Sequence, residues 1–294
     1  MRLRALAPAK VNLCLYLGSR RTDGRHELVT LYESLSLCDE LELETRPDGP
    51  DQVICAEVPG ENLAARALSE LRARGWAGPP VQISIGKRIP VAGGMAGGSA
   101  DAAAVLRLAL ELAPGRPEEV EALAAELGSD VPAQLAPGVA LGTGAGEIVE
   151  RLDALADHAC LVVPVPASLS TPAVYREADR LGLPRGGDEL EERRRVLEAA
   201  ARPDARLPAE LLVNDLEPAA MSLCPPAAEA LEAVRELGAP VALVSGSGPT
   251  VVGLWWGQDA RACAQLAAQA LRPRYPGAQA VDPVDASVGV PQVV

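Results

Sequence analysis

The chain contains no phenylalanine, and its aromatic side chains are limited to three tryptophans, four tyrosines and two histidines. Any aromatic ring that stacks on a bound base must therefore come from these few residues. Lysine is scarce as well, because Lys10 and Lys87 are the only lysines among 27 basic residues. Since arginine serves as the usual surface cation, each lysine is a stronger candidate for a specific role.

Long apolar runs are also missing. No segment approaches the ~18 apolar residues that a helix needs to span a bilayer. Arg2 and Arg4 precede an apolar stretch, but Lys10 and Asn12 interrupt it before it reaches the length of a secretory signal. We therefore expect a cytoplasmic protein.

Cysteine pairs with the spacing of a metal site are absent, and most of the six cysteines lie in apolar runs, which favours buried free thiols. Acidic residues outnumber basic ones by 40 to 27, so the formal net charge is −13. This excess of negative charge argues against nucleic acid or an anionic membrane as a partner.

The length of 294 residues allows a large core and two domains, which we place at residues 1–155 and 156–294. Strands dominate the first fifty residues, and helices and strands mix after them, so the chain is expected to be of the α/β (α+β) class. The alternation along the strands favours an antiparallel or mixed sheet over a doubly wound parallel one.

Apolar periodicity and turn residues place the individual elements. Strands are predicted at 3–6, 11–17, 28–37, 40–44, 81–85, 139–143, 158–165, 241–244 and 251–255. Helices are predicted to follow Asn62 as far as 74, and at 102–110, 117–127, from 171 onward, at 189–201, 225–237 and 259–271. The tail after residue 273 is weakly patterned.

Residues 89–101 hold four glycines within six positions, between the predicted strand at 81–85 and the helix at 102–110. Glycines let backbone N–H groups approach a ligand closely, and a helix N-terminus carries partial positive charge, so the segment predicts a phosphate site. Ser99 is expected to cap the helix, and Asp101 in its first turn could hold a metal ion. The alternative is a sharp turn that allows close strand–helix packing.

The glycine-rich segment is not of the Walker type, since no Gly-Lys-Ser/Thr follows its glycines, and it lacks the dinucleotide Gly-x-Gly-x-x-Gly pattern. It resembles the phosphate loop of the GHMP kinases. Three further segments resemble this family in the same order: Ala-Pro-Ala-Lys-Val-Asn-Leu at 7–13 followed by Asp23-Gly24-x-His26, Leu-Gly-Ser-Asp-Val-Pro at 127–132, and Ser-Gly-Ser-Gly-Pro-Thr at 245–250.

The resemblance implies two domains that flank a cleft, the first like the second domain of ribosomal protein S5 and the second ferredoxin-like. It implies ATP and Mg²⁺ as cofactors, and an alcohol as the phosphoryl acceptor. The chain most resembles the branch whose acceptor is a methylerythritol carrying a cytidine diphosphate group, in the non-mevalonate isoprenoid pathway. Another GHMP kinase, of the homoserine or mevalonate type, and a non-catalytic nucleotide-binding module remain alternatives. The chain is expected to be a monomer or a homodimer.

The motif match implies that Lys10 and Asp130 are catalytic. Phosphoryl transfer to an unactivated alcohol needs a base for the hydroxyl proton and a cation for the developing charge. Asp130 is the expected base, and Lys10 the cation that orients it. Helix capping by Ser129 or Asp130, and an exposed edge-strand position for Lys10, are the structural alternatives.

The resemblance also implies which residues contact the nucleotide. Those expected to bind ATP are Asn62, Lys87, Pro90, Gly93, Gly94, Met95, Ala96, Gly97, Gly98, Ser99 and Ala100. Of these, Asn62 and Lys87 are expected near the adenine, although Asn62 is equally suited to cap a helix.

For the acceptor, the expected residues are Asn12, Arg25, His26, Tyr175, Gly246 and Ser247. His26 is expected to recognise cytosine, with a cap on the Asp-Gly turn as its alternative. Arg25 stands where the family usually has an aromatic residue, and a guanidinium plane can stack on a base. Tyr175 would cover the other face of the base, or else be a half-buried core residue. The second histidine, His158, is expected to be structural.

Overall fold

The computed structural model describes residues 1–58, 62–91 and 93–294. Ala92, within the predicted phosphate loop, lies outside the described residues. The strands are β1 Arg2–Arg20, β2 His26–Thr45, β3 Gln52–Cys55, β4 Val81–Gly86, β5 Val139–Thr143, β6 Ile148–Leu152, β7 His158–Val163, β8 Val241–Val244, β9 Val251–Trp256, β10 Gln279–Val281 and β11 Gln292–Val293. The helices are α1 Leu63–Ala73, α2 Gly97–Leu112, α3 Pro117–Leu127, α4 Val131–Leu135, α5 Thr171–Leu181, α6 Gly187–Ala200, α7 Glu217–Leu223, α8 Pro225–Glu236 and α9 Ala260–Leu271.

A long antiparallel hairpin of β1 and β2 forms the centre of the first sheet. Each arm was predicted as two strands, which is wrong, because the polar and proline-containing segments lie within continuous strands. Register shifts occur between Pro8 and Lys10 and between Asn12 and Cys14. A β-bulge accommodates a residue such as proline that cannot donate to the ladder, so the strand bends without ending.

The first sheet has the strand order β11-β1-β2-β4-β3, and β5 and β6 extend it beside β2. β3 is parallel to β4, whereas the other pairs of this sheet are antiparallel, so the prediction of an antiparallel or mixed sheet is confirmed. Helix α2 packs on β1 and β2 and contacts α1 and α4. Its alanines are fully buried and allow the helix to lie close to the sheet.

The second sheet has the order β10-β7-β9-β8 and is antiparallel throughout. Helices α8 and α9 pack on it. The predicted domain boundary at residue 155 falls between β6 and β7, where the chain passes from the first sheet to the second, and the division at this point stays a prediction.

The carboxyl-terminal segment returns to the first sheet. The Ser36 N–H donates to Asp282 O at 2.8 Å, the Val284 N–H donates to Ser34 O at 2.9 Å, and β11 pairs with β1. The sequence did not predict these contacts, because a short strand that adds to an edge needs little hydrophobic alternation of its own. Strands β3 and β6 and helix α7 were also missed.

Helix α2 begins at Gly97 and follows Ala96, whose φ of 54° lies in the left-handed region. Ser99 therefore lies inside the first turn, and the prediction that it caps the helix is wrong. Asn62 does cap α1, since its Oδ1 accepts the Ala65 N–H at 2.8 Å. Among the helices of the described residues, none combines the length and apolarity that crossing a bilayer requires.

Candidate active site

A cavity of about 890 Å³ is lined by β1, β2, the glycine-rich loop, α5 and the loop between β8 and β9. It brings together nearly all of the residues predicted for the site, namely Lys10, Asn12, Arg25, His26, Asn62, Lys87, Pro90, Gly93, Gly94, Met95, Ala96, Gly97, Gly98, Ser99, Asp130, Tyr175, Gly246 and Ser247. Ala100 is the exception. Its side chain is buried in the core and its N–H donates to Ala96 O within the helix, so it does not line the cavity, and its contact with the nucleotide stays a prediction.

Lys10 and Asn12 are alternate residues of β1, so their side chains lie on the same face of the strand, and both line the cavity. The Lys10 side chain is only 6% exposed, so the alternative of an exposed edge-strand lysine is excluded. Its Nζ donates to Asn12 Oδ1 at 2.7 Å and lies 3.3 Å from Asp130 Oδ2. The N–H of Lys10 also donates to Met95 O at 3.2 Å, which ties the glycine-rich loop to the strand.

Asp130 occupies the N-cap position of α4, but its side chain makes no capping hydrogen bond. Its carboxylate contacts Lys10 and is 32% exposed, so it is open to the cavity. The capping alternative therefore does not account for Asp130. A carboxylate that is held by a cation and open to a cavity can accept a proton from a bound hydroxyl.

Tyr32 lies beneath this pair, with the Lys10 Nζ 5.2 Å from its ring centroid. Burial, and then the nearby charge of Asp130, raise the pKa of the Tyr32 hydroxyl well above its ordinary value. Tyr32 thus stays neutral and gives Lys10 a low-dielectric surface. The sequence carried no signal for it beyond its position in an apolar strand.

The glycine-rich loop packs against the loop between β8 and β9. Gly94 has φ 77°, and a Cβ added there would come within 2.6 Å of Gly248 O, so only glycine fits this position. The Thr250 N–H donates to Gly93 O at 3.3 Å across the same contact. Around Gly98, in contrast, a Cβ would meet nothing within 4 Å. The start of the loop therefore packs against the loop between β8 and β9, whereas the N-terminus of α2 is open to the cavity.

The N-terminus of α2 supplies the charge expected of an anion site. The first intrahelical bond runs from the Ala100 N–H to Ala96 O at 2.9 Å. The N–H groups of Gly97, Gly98 and Ser99 precede that bond and have no intrahelical acceptor. All three residues line the cavity, where such donors favour phosphate.

Lys87 lies directly behind this helix terminus, and a Cβ at Gly97 would come 3.2 Å from its Nζ. The ammonium contacts Asp39 and lies 2.7 Å from Asp101 Oδ2. Burial alone would lower the pKa of Lys87, but the two carboxylates outweigh burial and raise this pKa, so Lys87 remains charged. Burial raises the pKa of the Asp101 carboxyl to about 7, although Lys87 opposes this change.

Asp101 therefore has a lysine partner, and its role as a metal ligand stays a prediction. Asp39 was not found from the sequence, because it lies far from the loop along the chain. Its Oδ1 accepts the Ile89 N–H at 2.8 Å, which fixes the start of the loop to β2.

At the other end of the cavity, His26 and Tyr175 face each other with ring centroids 5.2 Å apart. His26 Nε2 is 2.7 Å from Asp179 Oδ1, and the turn before it is closed by Asp23, whose Oδ1 accepts the Arg25 N–H at 3.0 Å. His26 therefore does not act as the cap of the Asp-Gly turn. Burial, and then the charge of Asp130, raise the pKa of Tyr175.

The Arg25 guanidinium lies beside these rings but is engaged by two carboxylates. Its Nε donates to Asp23 Oδ2 at 3.2 Å, and its Nη2 donates to Glu147 Oε1 at 3.4 Å. The side chain lines the cavity in this position. The two ion pairs hold its plane, so a base could stack on it without the cost of ordering a free side chain.

The loop that carries Gly246 and Ser247 is held from below by Asn214. The Asn214 Nδ2 donates to Val244 O and to Gly246 O, both at 2.7 Å. Ser247 Oγ lies 2.9 Å from Thr171 Oγ1, at the start of α5. This hydroxyl contact joins the two elements that border the cavity beside Tyr175.

Two family models match the chain. The model described as GHMP kinases N terminal domain matches residues 62–138, and the one described as GHMP kinases C terminal matches residues 196–271. The first therefore covers the glycine-rich loop and Asp130.

Curated relatives match most of the chain. It is 44% identical over 277 residues to the 4-diphosphocytidyl-2-C-methyl-D-erythritol kinase of Streptomyces coelicolor, which covers 91% of each chain. It is 45% identical over 257 residues to the kinase of the same name from Mycolicibacterium gilvum, covering 83% of this chain and 79% of the relative.

Solved structures resemble the fold over nearly the whole length. A crystal structure of 4-(cytidine 5'-diphospho)-2C-methyl-D-erythritol kinase superposes with a TM-score of 0.73 at 35% identity, covering 95% of this chain and 98% of the other. A homoserine kinase from Cytophaga hutchinsonii superposes with a TM-score of 0.69 at 19% identity, covering 100% of this chain and 97% of the other. The second likeness concerns the fold alone.

Proposed function

The chain belongs to the GHMP kinase family, and from this membership we propose that it transfers the γ-phosphoryl group of ATP to the 2-hydroxyl of 4-diphosphocytidyl-2-C-methyl-D-erythritol. The observation that carries the mechanism is the convergence of Lys10 and Asp130 in the cavity that the glycine-rich loop also lines. An ammonium and a carboxylate beside an anion site are the groups that this transfer needs. The four separated motifs in their order along the chain, and the likeness to kinases of this specificity, support the same acceptor.

In this mechanism Asp130 accepts the proton of the acceptor hydroxyl as the oxygen attacks the γ-phosphorus. Lys10 holds the Asp130 carboxylate in place and stabilises charge on the attacking oxygen and on the transferred group. Because Asn12 and Tyr32 enclose Lys10, its ammonium acts in surroundings with little water, where its electrostatic effect is stronger than at the surface.

The triphosphate is proposed to lie on the N–H groups at the start of α2, with Lys87 behind them, where Asp39 and Asp101 hold its ammonium. Asn62, the residue immediately before α1, is proposed to lie beside the nucleotide. Mg²⁺ would neutralise phosphate charge, and kinases usually bind it through phosphate oxygens, waters and one or two carboxylates. The hydroxyl of Ser99 lines the cavity and could supply one protein oxygen, whereas Asp101 is held by Lys87.

The cytidine end of the acceptor is proposed to lie against Tyr175 and Arg25, with its base edge beside His26. Tyr175 and Arg25 offer flat surfaces for stacking, and the imidazole of His26 offers a hydrogen bond to the base edge. Gly246 and Ser247 border the path from the base to the transferred phosphoryl group. The proposed setting is the cytoplasm, in agreement with six free cysteines.

A coupled ADP-release assay with several acceptor alcohols tests the proposal. ADP release with 4-diphosphocytidyl-2-C-methyl-D-erythritol, and not with homoserine or mevalonate, is the expected result. Turnover of homoserine or mevalonate alone would make the chain a different GHMP kinase. Calorimetric binding of ATP without turnover of any acceptor would make it a nucleotide-binding module.

A further inference from the structure

A chain of buried hydrogen bonds begins at the catalytic ammonium and runs into the hairpin. Lys10 Nζ donates to Asn12 Oδ1 at 2.7 Å, Asn12 Nδ2 donates to Thr30 Oγ1 at 2.6 Å, and Thr30 Oγ1 donates to Cys14 O at 2.6 Å. Thr30 has no exposed surface, and Asn12 is 2% exposed. This series of hydrogen bonds joins β1 to β2 beside the bulge that follows Asn12.

The chemistry of the groups fixes the direction of every bond in this chain. A carbonyl oxygen only accepts, so the single hydroxyl hydrogen of Thr30 must point to Cys14 O. The hydroxyl oxygen is then left to accept, and only the amide nitrogen of Asn12 can donate to it. The other end of the amide, Oδ1, must therefore face Lys10, which can only donate.

Without the Thr30 hydroxyl, the Lys10 ammonium would be the one remaining partner of the Asn12 side chain in this network of hydrogen bonds. The amide nitrogen would lose its acceptor, and an unpaired buried donor is unfavourable. The Asn12 amide would then shift toward another acceptor for Nδ2, and its Oδ1 would move away from the Lys10 Nζ. The bond that holds the Lys10 Nζ in line with Asp130 would be weakened.

We propose that Thr30 is a positioning residue for phosphoryl transfer, because its hydroxyl orients the Asn12 amide and thereby aims the Lys10 ammonium at Asp130 and the transferred group. This inference rests on the proposed function. Thr30 itself touches neither ATP nor the acceptor, since it is buried behind Asn12. Aligned donors also polarise one another, so the Thr30 bond strengthens Oδ1 as an acceptor for the ammonium.

Substitution at Thr30 separates this role from a packing role. Thr30→Val keeps the shape and removes the hydroxyl, whereas Thr30→Ser keeps the hydroxyl and removes the methyl group. We expect Thr30→Val to lower kcat about ten- to a hundredfold, the range of a hydrogen bond that serves a charged group. The KM values for ATP and for the acceptor should change little, because the residue contacts neither substrate. Thr30→Ser should retain most of the wild-type kcat.

Ser34→Ala is the matched control, since it removes a buried hydroxyl from the same strand, at the position opposite Lys10 in the β1–β2 pairing. That hydroxyl accepts the Gly138 N–H at 3.0 Å and is not part of the hydrogen-bond chain through Asn12. After correction for the folded fraction, its kcat should equal that of the wild type. Equal kcat values for Thr30→Val and the wild type would overturn the proposal, as would an equal loss in Thr30→Ser and Thr30→Val.

A crystal structure of Thr30→Val provides a readout that does not depend on activity. The expected result is a displaced Asn12 amide and a longer Lys10 Nζ–Asp130 distance, and unchanged positions of both would refute the inference. Inactivity of the wild type with the cytidine diphosphate acceptor would instead refute the proposed function, and the structural comparison would still decide the role of Thr30.

Discussion

The Lys10 ammonium lies 3.3 Å from the Asp130 carboxylate, although the two residues come from separate motifs. Lys10 projects from the middle of β1, and Asp130 stands at the start of α4 with no capping bond to occupy it. The Asp130 carboxylate therefore has no capping role in α4. The position of the Lys10–Asp130 pair beside the helix terminus of α2 makes it the centre of the proposed reaction.

Asp130→Asn keeps the shape of the side chain and removes its basicity. We expect kcat to fall by about 10²- to 10⁴-fold, the usual contribution of a positioned base, while ATP still binds. Asp259→Asn is the matched control, because Asp259 is also an N-cap residue without a side-chain capping bond. Both variants should unfold at denaturant concentrations close to the wild type. Normal turnover by folded Asp130→Asn would remove Asp130 from the chemistry.

Gly98→Ala tests whether the start of α2 holds phosphate. Protein atoms leave room for the methyl group, so stability should be unchanged or raised by about 0.5–1 kcal/mol from the helical preference for alanine. A triphosphate on the first-turn N–H groups would collide with that methyl group, and the KM for ATP should rise.

Gly187→Ala is the control for this variant, since Gly187 begins α6 and also has nothing within 4 Å of an added Cβ. Its stability should change in the same direction, with the same KM for ATP as the wild type. Steady-state kinetics and chemical denaturation of the two variants provide the comparison. A normal KM for ATP in Gly98→Ala would move the triphosphate away from this helix terminus.

Tyr175→Leu tests the place of the cytosine base. Loss of a stacking face is worth about 1–3 kcal/mol per base, so we expect the acceptor KM to rise about tenfold or more. Arg25→Ala should also raise this KM if its ordered guanidinium covers the other face of the base. Neither variant should change the KM for ATP.

Arg180→Ala serves as the control for these two variants, because Arg180 is on the same helix as Tyr175 but pairs with Glu177 at the surface. It should leave both KM values unchanged. Initial rates at varied acceptor concentration measure the effect. An unaltered acceptor KM in Arg25→Ala would exclude Arg25 from base binding. An unaltered acceptor KM in Tyr175→Leu would show that the base does not bind beside α5.

A buried ion pair predicts how stability depends on pH. His158 Nε2 lies 2.7 Å from Glu33 Oε2, and both side chains are buried between the two sheets. Burial alone would lower the pKa of His158, but the hydrogen bond and charge of Glu33 raise it above its ordinary value of 6.5. The folded state therefore binds the imidazole proton more tightly than the unfolded state does.

The stabilisation from this raised pKa is fully present below about pH 6.5 and is lost as the pH rises through the raised pKa. We expect the wild type to lose unfolding free energy over this interval, and His158→Gln to show a flatter profile. Urea unfolding at several values between pH 6 and 8.5 measures the difference between the two curves. Both proteins contain Asp101, so its contribution to the pH dependence of stability cancels when one curve is subtracted from the other. Parallel curves would contradict the prediction.

Local pattern was enough to predict many of the elements. The bounds of α3 and β5 agree with the prediction residue for residue, since proline, glycine and apolar periodicity mark their ends. Continuous strands were harder to predict. Pro8 and the polar residues near it indicated a break in β1, whereas long-range pairing with β2 carries the strand through them as bulges.

The residues around the site divide in the same way. Motif resemblance led to Lys10, Asp130 and the glycine-rich loop, because their chemical types stand at recognisable spacings. Asp39, Tyr32 and Thr30 were not predicted, since each is an ordinary residue of a strand. Their partners are set by the register of the hairpin and by the packing of α2, which no local window contains.

The amino-acid sequence by itself determined the backbone chemistry of the glycine-rich loop, the start of a helix after it, and the presence of a lysine and an aspartate suited to phosphoryl transfer. Only the tertiary structure decided that Lys10 faces Asp130, that Lys87 is held by two carboxylates, and that Asn12 donates to Thr30. The physical reason is that φ, ψ and helix preference depend on neighbouring residues, whereas the direction and partner of a buried side chain depend on strands and helices that are distant in sequence.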